Sequence, residues 1–497
     1  MNTMIARGVA PLLAALLLSA CATPDFVQPH VATPGAFRES QAPEPAAEVA
    51  GIDGARWKPA QPAESQPRGQ WWLAFNDPAL TALIEEAAAN NANLQVAASR
   101  VRQARAIAGI AEADRVPQVG IGIGAQRARL SPLESGQAQG VDTEARTSYS
   151  ARLSASYEVD LFGRVAAGVS AARGDAATSD ANFRSVLLSL QADVAQTYFR
   201  LRALDAELDT VAQTVRLREE SVGVTQRRFD LGDIGEFDLS RARTELATAR
   251  AEAIGVQRQR ANTEHALAVL LGKPAADYVA GPSPLLDASL MPAIPAGLPS
   301  SLLERRPDIV AAQRAMEASN ARIGVARGAM FPARTISADG GGVGGVFSDV
   351  FRWSSRSWLI GALASMPIID GGRNRNNVVR SEAVLEESVG TYRQSVLVAF
   401  AEVEDNLAGL RILAGQSQQI DAAVVSARRS ADLAQKLYDA GRSSYLELLD
   451  AQRNLAAVER TAVQLRGDRA LTTVALIRAL GGGWDAAPAE GTTLAQR

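Results

Sequence analysis

One long unit stands twice in this chain, and that duplication limits the possible folds more than any other feature. Phe229-Asp230-Leu231-Gly232, Phe237-Asp238-Leu239 and Leu246 return 209 residues later as Tyr438-Asp439-Ala440-Gly441, Leu446-Glu447-Leu448 and Leu455. The same offset carries Gly163-Arg164 onto Gly372-Arg373, Tyr149 onto Trp358 and Leu201 onto Leu410. Upstream, Leu94, Ala97, Ala111 and Pro117 recur as Ile309, Ala312, Ala326 and Pro332, at an offset of 215. The six-residue difference falls in one loop near 127–148, longer in the first copy. A chain of 497 residues has room for two to four domains. The repeat predicts instead one pseudo-symmetric domain made of two copies.

Each copy changes period twice. Asp77-Pro78 opens a helix, with Asp as N-cap and Pro at the first helical position. Leu80, Leu83, Ile84, Ala87, Leu94, Ala97 and Val101 give it an apolar stripe, and Asn90-Asn91 predicts a break. Past Pro117 the period falls to two. Val119, Ile121 and Ile123 alternate with glycines. After a polar loop, Tyr149, Ala151, Leu153, Ala155, Tyr157, Val159 and Leu161 alternate with Ser, Arg and acids. Strands of this length and pattern suit an outer-membrane barrel. The second copy offers a weaker pair near 332–347 and 357–369. Its Gly340–Gly345 run reads as flexible, and Phe347, Phe351, Trp353 and Trp358 stand where an aromatic belt is expected.

From Arg164 the period becomes helical and holds to Phe229. Leu187, Val194, Leu201, Leu208, Val215, Val222 and Phe229 stand seven apart, with Leu190, Leu204 and Val211 in a second register that Thr197 and Arg218 interrupt. Such a helix reaches about 100 Å. A return helix is expected from Phe237 to about Leu271; the second copy repeats the pair over 372–440 and 445–480. The expected order is 1–20 signal peptide, 21–70 extended linker, 71–271 first repeat, 272–299 Pro-rich linker, 300–480 second repeat and 481–497 disordered tail.

The first residues read as an address. A short apolar run ends in Leu18-Ser19-Ala20-Cys21, which resembles the bacterial lipobox. That resemblance implies diacylglycerol and an N-acyl chain on Cys21, the only Cys, and, with Ala22 after it, sorting to the outer membrane of a Gram-negative bacterium. A net charge of −3 gives no case for nucleic acid, and one Cys excludes an internal disulfide framework. His30 and His265 have no metal-ligand companions. Gly340–Gly345 lacks the Lys-Ser/Thr of a phosphate loop, and Gly120-Ile121-Gly122 lacks the helix of a dinucleotide site. No enzyme, metal or soluble cofactor is expected.

Four strands cannot close a barrel, and lipid does not tolerate an open sheet edge. Three protomers would pool twelve strands, whereas two would give eight, whose interior side chains fill. A homotrimer is therefore expected of a conduit. Together these features resemble the outer membrane factor family, the TolC-like channels, and within it the NodT-type efflux lipoproteins. The resemblance is carried by the lipobox, Trp72 with Phe75, Asp77-Pro78, Asn91 with Leu94, Asp160-Leu161-Phe162-Gly163-Arg164, Arg306-Pro307-Asp308-Ile309, Pro367 with Asp370-Gly371-Gly372-Arg373, and Tyr438 with Gly441, Leu448, Asp450 and Ala451. It implies a mainly α fold with β structure: a trimeric twelve-stranded β-barrel above a long periplasmic helical barrel. It also implies a periplasmic membrane-fusion adaptor and a proton-driven inner-membrane pump as partners. Acidic residues past the second tip would ring the periplasmic aperture: here Glu447 and Asp450, with Asp238 in the first copy. Glu447 and Asp450 from three copies would bring six carboxylates together and favour cations. Ser443 stands where relatives carry a basic residue. The tips Leu231, Gly232, Asp233, Ile234, Ala440, Gly441, Ser443 and Ser444 would turn the chain and dock the adaptor. Two other readings are an exit duct for type I protein secretion and a non-conducting coiled-coil spacer lipoprotein.

Overall fold

The computed structural model describes residues 24–29, 33–34, 36–40, 70–133, 136, 138, 144–285, 292, 294 and 305–482. The signal peptide, Cys21, most of 41–70, much of the linker up to 304 and the tail from 483 lie outside the described residues. The helices are α1 (Pro78–Asn90), α2 (Ala92–Ala113), α3 (Arg164–Asp230), α4 (Glu236–Leu270), α5 (Pro307–Gly328), α6 (Arg373–Asp439) and α7 (Tyr445–Ala479). The strands are β1 (Gln118–Ala128), β2 (Arg146–Glu158), β3 (Ala333–Gly344) and β4 (Arg356–Ser365). Two compact bodies result. One gathers 100–180 and 311–392 with the first residues; the other gathers 31–99, 181–310 and 393 onward.

The first body holds one antiparallel sheet in the order β1-β2-β3-β4. Its register puts Val119, Ile121, Ile123, Leu153, Tyr157, Ile336, Trp358 and Ile360 on one face. The other face carries Ser148, Ser150, Arg152, Ser154, Glu158, Ser337 and Asp339, joined by Leu359 and Leu363 from β4. Ile121, Trp358 and Ile360 are exposed in the single chain. β2 stops at Glu158, three residues short of the expected alternation. The reason is local: Asp160 Oδ2 accepts from Ala166 N at 2.7 Å, so it serves the open N-terminus of α3 in place of the sheet. Before α6, Asp370 accepts from Gly372 N and Asn374 N.

The run Gly340–Gly344, expected to be flexible within its strand, is paired to β2 throughout and to β4 as far as Gly342. A Cβ at Gly342 would come within 1.9 Å of the Val350 carbonyl oxygen. The missing side chains therefore let a 3-10 turn, Phe347–Phe351, settle on the apolar face. Elsewhere in this body bare backbone lets helices close up. A Cβ at Gly174 would come within 2.8 Å of Ala318.

The second body is helical and has a main core. Trp72, Phe75, Leu80, Ile84, Leu201, Leu267, Leu271, Val474 and Ile477 meet there. Asp77 caps α1 through Ala79 N and Leu80 N and also accepts from Tyr198 Oη at 2.7 Å. Burial, with the Asp77 carboxylate second, pushes the Tyr198 hydroxyl well above its usual value. Phe37 is fully buried against Val403 and Leu476, and Arg38 N and Glu39 N donate to the Glu404 carboxylate.

The heptad expectation needs one correction. Val194 and Leu201 are buried, but Phe229, last in that seam, is exposed. Toward the end of α3 the buried positions are Leu204, Val211, Arg218 and Thr225. A straight helix drifts about 20° per heptad against a seven-residue repeat, so the buried stripe moves to the second register. Arg218 is thus a buried member of the seam; its Nη1 donates to Gln452 at 2.7 Å.

The repeat also fixes where each return helix ends. Asn91 Nδ2 donates to the Leu270 carbonyl at 2.9 Å. Its counterpart at the 215 offset, Arg306, donates to the Ala479 carbonyl at 3.1 Å and pairs with Asp308 and Glu402. The carbonyls stand at the other offset, 209 apart. In both copies the residue that starts a helix satisfies an orphan carbonyl where another ends.

Candidate functional site: the paired hairpin tips

Each long helix stops at a glycine. Gly232 has φ +80° and Gly441 has φ +70°. At the first tip Gly232 N donates to Phe229 O and Asp233 N to Arg228 O, both at 2.9 Å. At the second, Gly441 N donates to Tyr438 O at 2.9 Å and Arg442 N to Leu437 O at 2.8 Å. This is the Schellman ending, which needs a residue free to take positive φ. Leu231 is 78% exposed although apolar, and Asp233, Ala440 and Ser444 are exposed, while Ile234 and Ser443 are half-buried.

The two returns begin differently. Gly235 starts α4 without a side-chain cap. Ser444, at the matching position, starts α7 with a full capping box: Glu447 N donates to Ser444 Oγ at 3.3 Å, and Ser444 N donates to Glu447 Oε2 at 3.1 Å. One expected aperture carboxylate thus also holds its own helix end. Asp450 is exposed and lies 3.8 Å from Arg453. Asp238 is half-buried in the first turn of α4, and among the described residues no hydrogen bond or ion pair joins it to Glu447 or Asp450.

Just behind the tips, polar contacts bind one hairpin to the other. Arg453 of α7 grips Glu245 of α4 with two hydrogen bonds, one of 2.9 Å from Nε. Ser221 and Tyr445 share a hydrogen bond of 3.0 Å. Arg228 Nη1 donates to Tyr438 Oη at 2.9 Å, with its guanidinium over the Tyr438 ring. Hydrogen bonds from Arg453 hold the Glu245 carboxyl below the usual range against the opposing effect of burial. Burial pushes Arg218 down, offset by Glu245 and Tyr445. Ala242, Tyr445 and Leu449 form a small apolar cluster beneath.

The turns at Gly232 and Gly441 stand where the sequence placed them, whereas Glu245, Arg453 and Arg218 were not singled out as site residues. One signal was available. Glu245 stands a heptad after Asp238, hence on the same stripe of α4. No local pattern pairs it with Arg453, 208 residues away.

The family model of the outer membrane efflux protein matches residues 83–273 and 298–482, one stretch in each copy. The pyoverdine export outer membrane protein OpmQ of Pseudomonas putida is 34% identical over 429 residues, 86% of this chain and 91% of its own. The cation efflux system protein CusC of Escherichia coli is 32% identical over 480 residues, 95% and 98%. The solved outer-membrane channel OprN superposes with a TM-score of 0.83 at 28% identity, covering 93% of this chain and 99% of that one. The chain therefore belongs to the outer membrane efflux protein family, as an outer-membrane channel of TolC-like fold that serves efflux.

Proposed function

We propose that three copies of this chain close a single twelve-stranded barrel in the outer membrane, anchored by acyl chains on Cys21. In this reading the helical hairpins reach into the periplasm. They receive solutes from a membrane-fusion adaptor and a proton-driven inner-membrane pump, and the channel conducts them passively, without catalysis. The observation that carries the proposal is the sheet. β1 and β4 each present an unpaired edge, and one largely apolar face, with arginines toward its ends, runs across all four strands. Lipid excludes such edges, so copies must pair β4 with β1 until the sheet closes. Among the described residues no helix is long and apolar enough to cross a membrane.

In this reading the tips carry the entrance. Glu447 and Asp450 from three copies line the aperture, and the exposed Leu231, Asp233, Ala440 and Ser444 dock the adaptor, with the glycine turns setting their height. Relatives are named for pyoverdine, for cations and for toluene, which fits a conduit whose cargo is chosen upstream. The test is in-cell capture. Cysteines at Asp233 and Ser443, with a bifunctional thiol cross-linker, should trap an adaptor and its pump. Capture of nothing periplasmic by protein correctly placed in the outer membrane would overturn the tripartite reading and favour a spacer.

A further inference from the structure

The apolar face of the sheet has a built recess at the loop end of β3 and β4. Gly340 and Gly342 form its floor, Val350 and Phe351 one wall, and Arg356 with Trp358 the other, around an open volume of about 390 Å³. Register places Gly340 between Leu153 and Trp358, and Gly342 opposite Arg356, all on the apolar side. The glycines differ in what they do. Gly342 must be bare because the turn rests on it, whereas nothing lies within 4 Å of where a Cβ at Gly340 would stand. The fold therefore does not need a glycine at Gly340; the recess does.

Arg356 is the second observation. It is ion-paired with none of the described residues, and its guanidinium lies 4.2 Å over the Trp353 ring. Its neighbour Arg352 is satisfied by Asp349 at 3.0 Å. Arg127 lies on the same face at the loop end of β1. A lone cation beside hydrocarbon is costly unless it meets an anion at headgroup depth. Guanidinium suits phosphate, which it can grip with two parallel hydrogen bonds. An apolar trough ending at an arginine fits a phosphorylated amphiphile.

We propose that this recess binds the lipid A part of lipopolysaccharide, with one acyl chain along the glycine floor against Trp358 and one phosphate on Arg356. The choice rests on the orientation proposed above, which turns the strand loops toward the outer leaflet, where that glycolipid resides.

The test uses full-length trimer, stripped of lipid and titrated with purified lipid A or with phosphatidylglycerol under native mass spectrometry. Wild type should take up one lipid A per chain in preference to phosphatidylglycerol. Arg356→Gln removes the charge-assisted hydrogen bonds and Gly340→Leu fills the trough, so each should weaken uptake by about tenfold, with trimer mass unchanged. Equal uptake by both variants, or phosphatidylglycerol bound as well as lipid A, would overturn the proposal. Density-gradient fractionation separates the two levels. Wild type outside the outer membrane would sink the orientation and this inference with it. Wild type in the outer membrane that takes up no lipid A would sink this inference alone.

Discussion

Glu447 does two things with one carboxylate. It accepts from Ser444 N at the start of α7, and it stands one turn from Asp450 on the same helix face. A Gln at the same position still offers a carbonyl oxygen to Ser444 N, so the capping box survives the loss of charge. Glu447→Gln with Asp450→Asn should therefore leave folding intact and shift the channel's selectivity from cations toward anions. Reversal potentials across a planar bilayer under a salt gradient measure this, and an unchanged reversal potential would show that these acids do not line the constriction. Other residues were read from the sequence only by type. Gly232 and Gly441 were legible because a tight turn needs positive φ whatever surrounds it. Arg306 was legible as part of a motif, yet its physical task was not, since the carbonyl it satisfies lies 173 residues away. Asn91 was read as a helix break. That it also closes the end of α4 depends on a contact no local pattern records.

Among elements, the long helices were almost fully legible. Their bounds match the expected ones within a residue or so, because a period of 3.6 held over 67 residues has no competing reading. The strands were less so. The alternation in 149–161 continued past the end of β2 because Asp160 happens to fit the pattern while serving α3. The glycines of 340–345 weakened the alternation of the second strand pair without displacing it, because pairing to β2 and β4 overrides their low strand preference. The contact between hairpins was not legible at all, and it yields a prediction of its own. The Glu245 carboxyl titrates below its usual range because Arg453 donates to it. A depressed carboxyl contributes stability above its unfolded pKa of about 4.3 and loses it as pH falls through the lower folded value. The link between α4 and α7 should thus hold from neutral pH down to about 5 and weaken below about 4. Glu245→Gln should remove that part of the acid dependence and leave a link that is weaker at pH 7. Melting temperature against pH for wild type and variant measures it. Parallel curves would mean that the pair contributes no linkage.

At the scale of the whole molecule, duplication explains why one chain presents two strand pairs and two hairpins at matched positions. The copies are not equivalent. The first tip starts its return helix uncapped with Asp238 and Arg241 beyond it, and the second is capped with Glu447 and Asp450. Two similar but unequal hairpins, repeated by threefold symmetry, would place six helix pairs around one axis with only alternate pairs strongly acidic. The proposal made from the apolar face and the bare edges β1 and β4 is that the chain is a third of a channel wall. The most direct test is at those edges. Cys21 is the only native cysteine, so introduced thiols report cleanly. Ile121→Cys on β1, combined with a cysteine scanned along the whole of β4 from Arg356 to Ser365, samples the registers that bring Ile121 opposite β4. The account predicts that one register forms disulfides in outer membranes, giving a ladder that stops at the trimer. Cross-links that stop at the dimer, or none in any register, would contradict it.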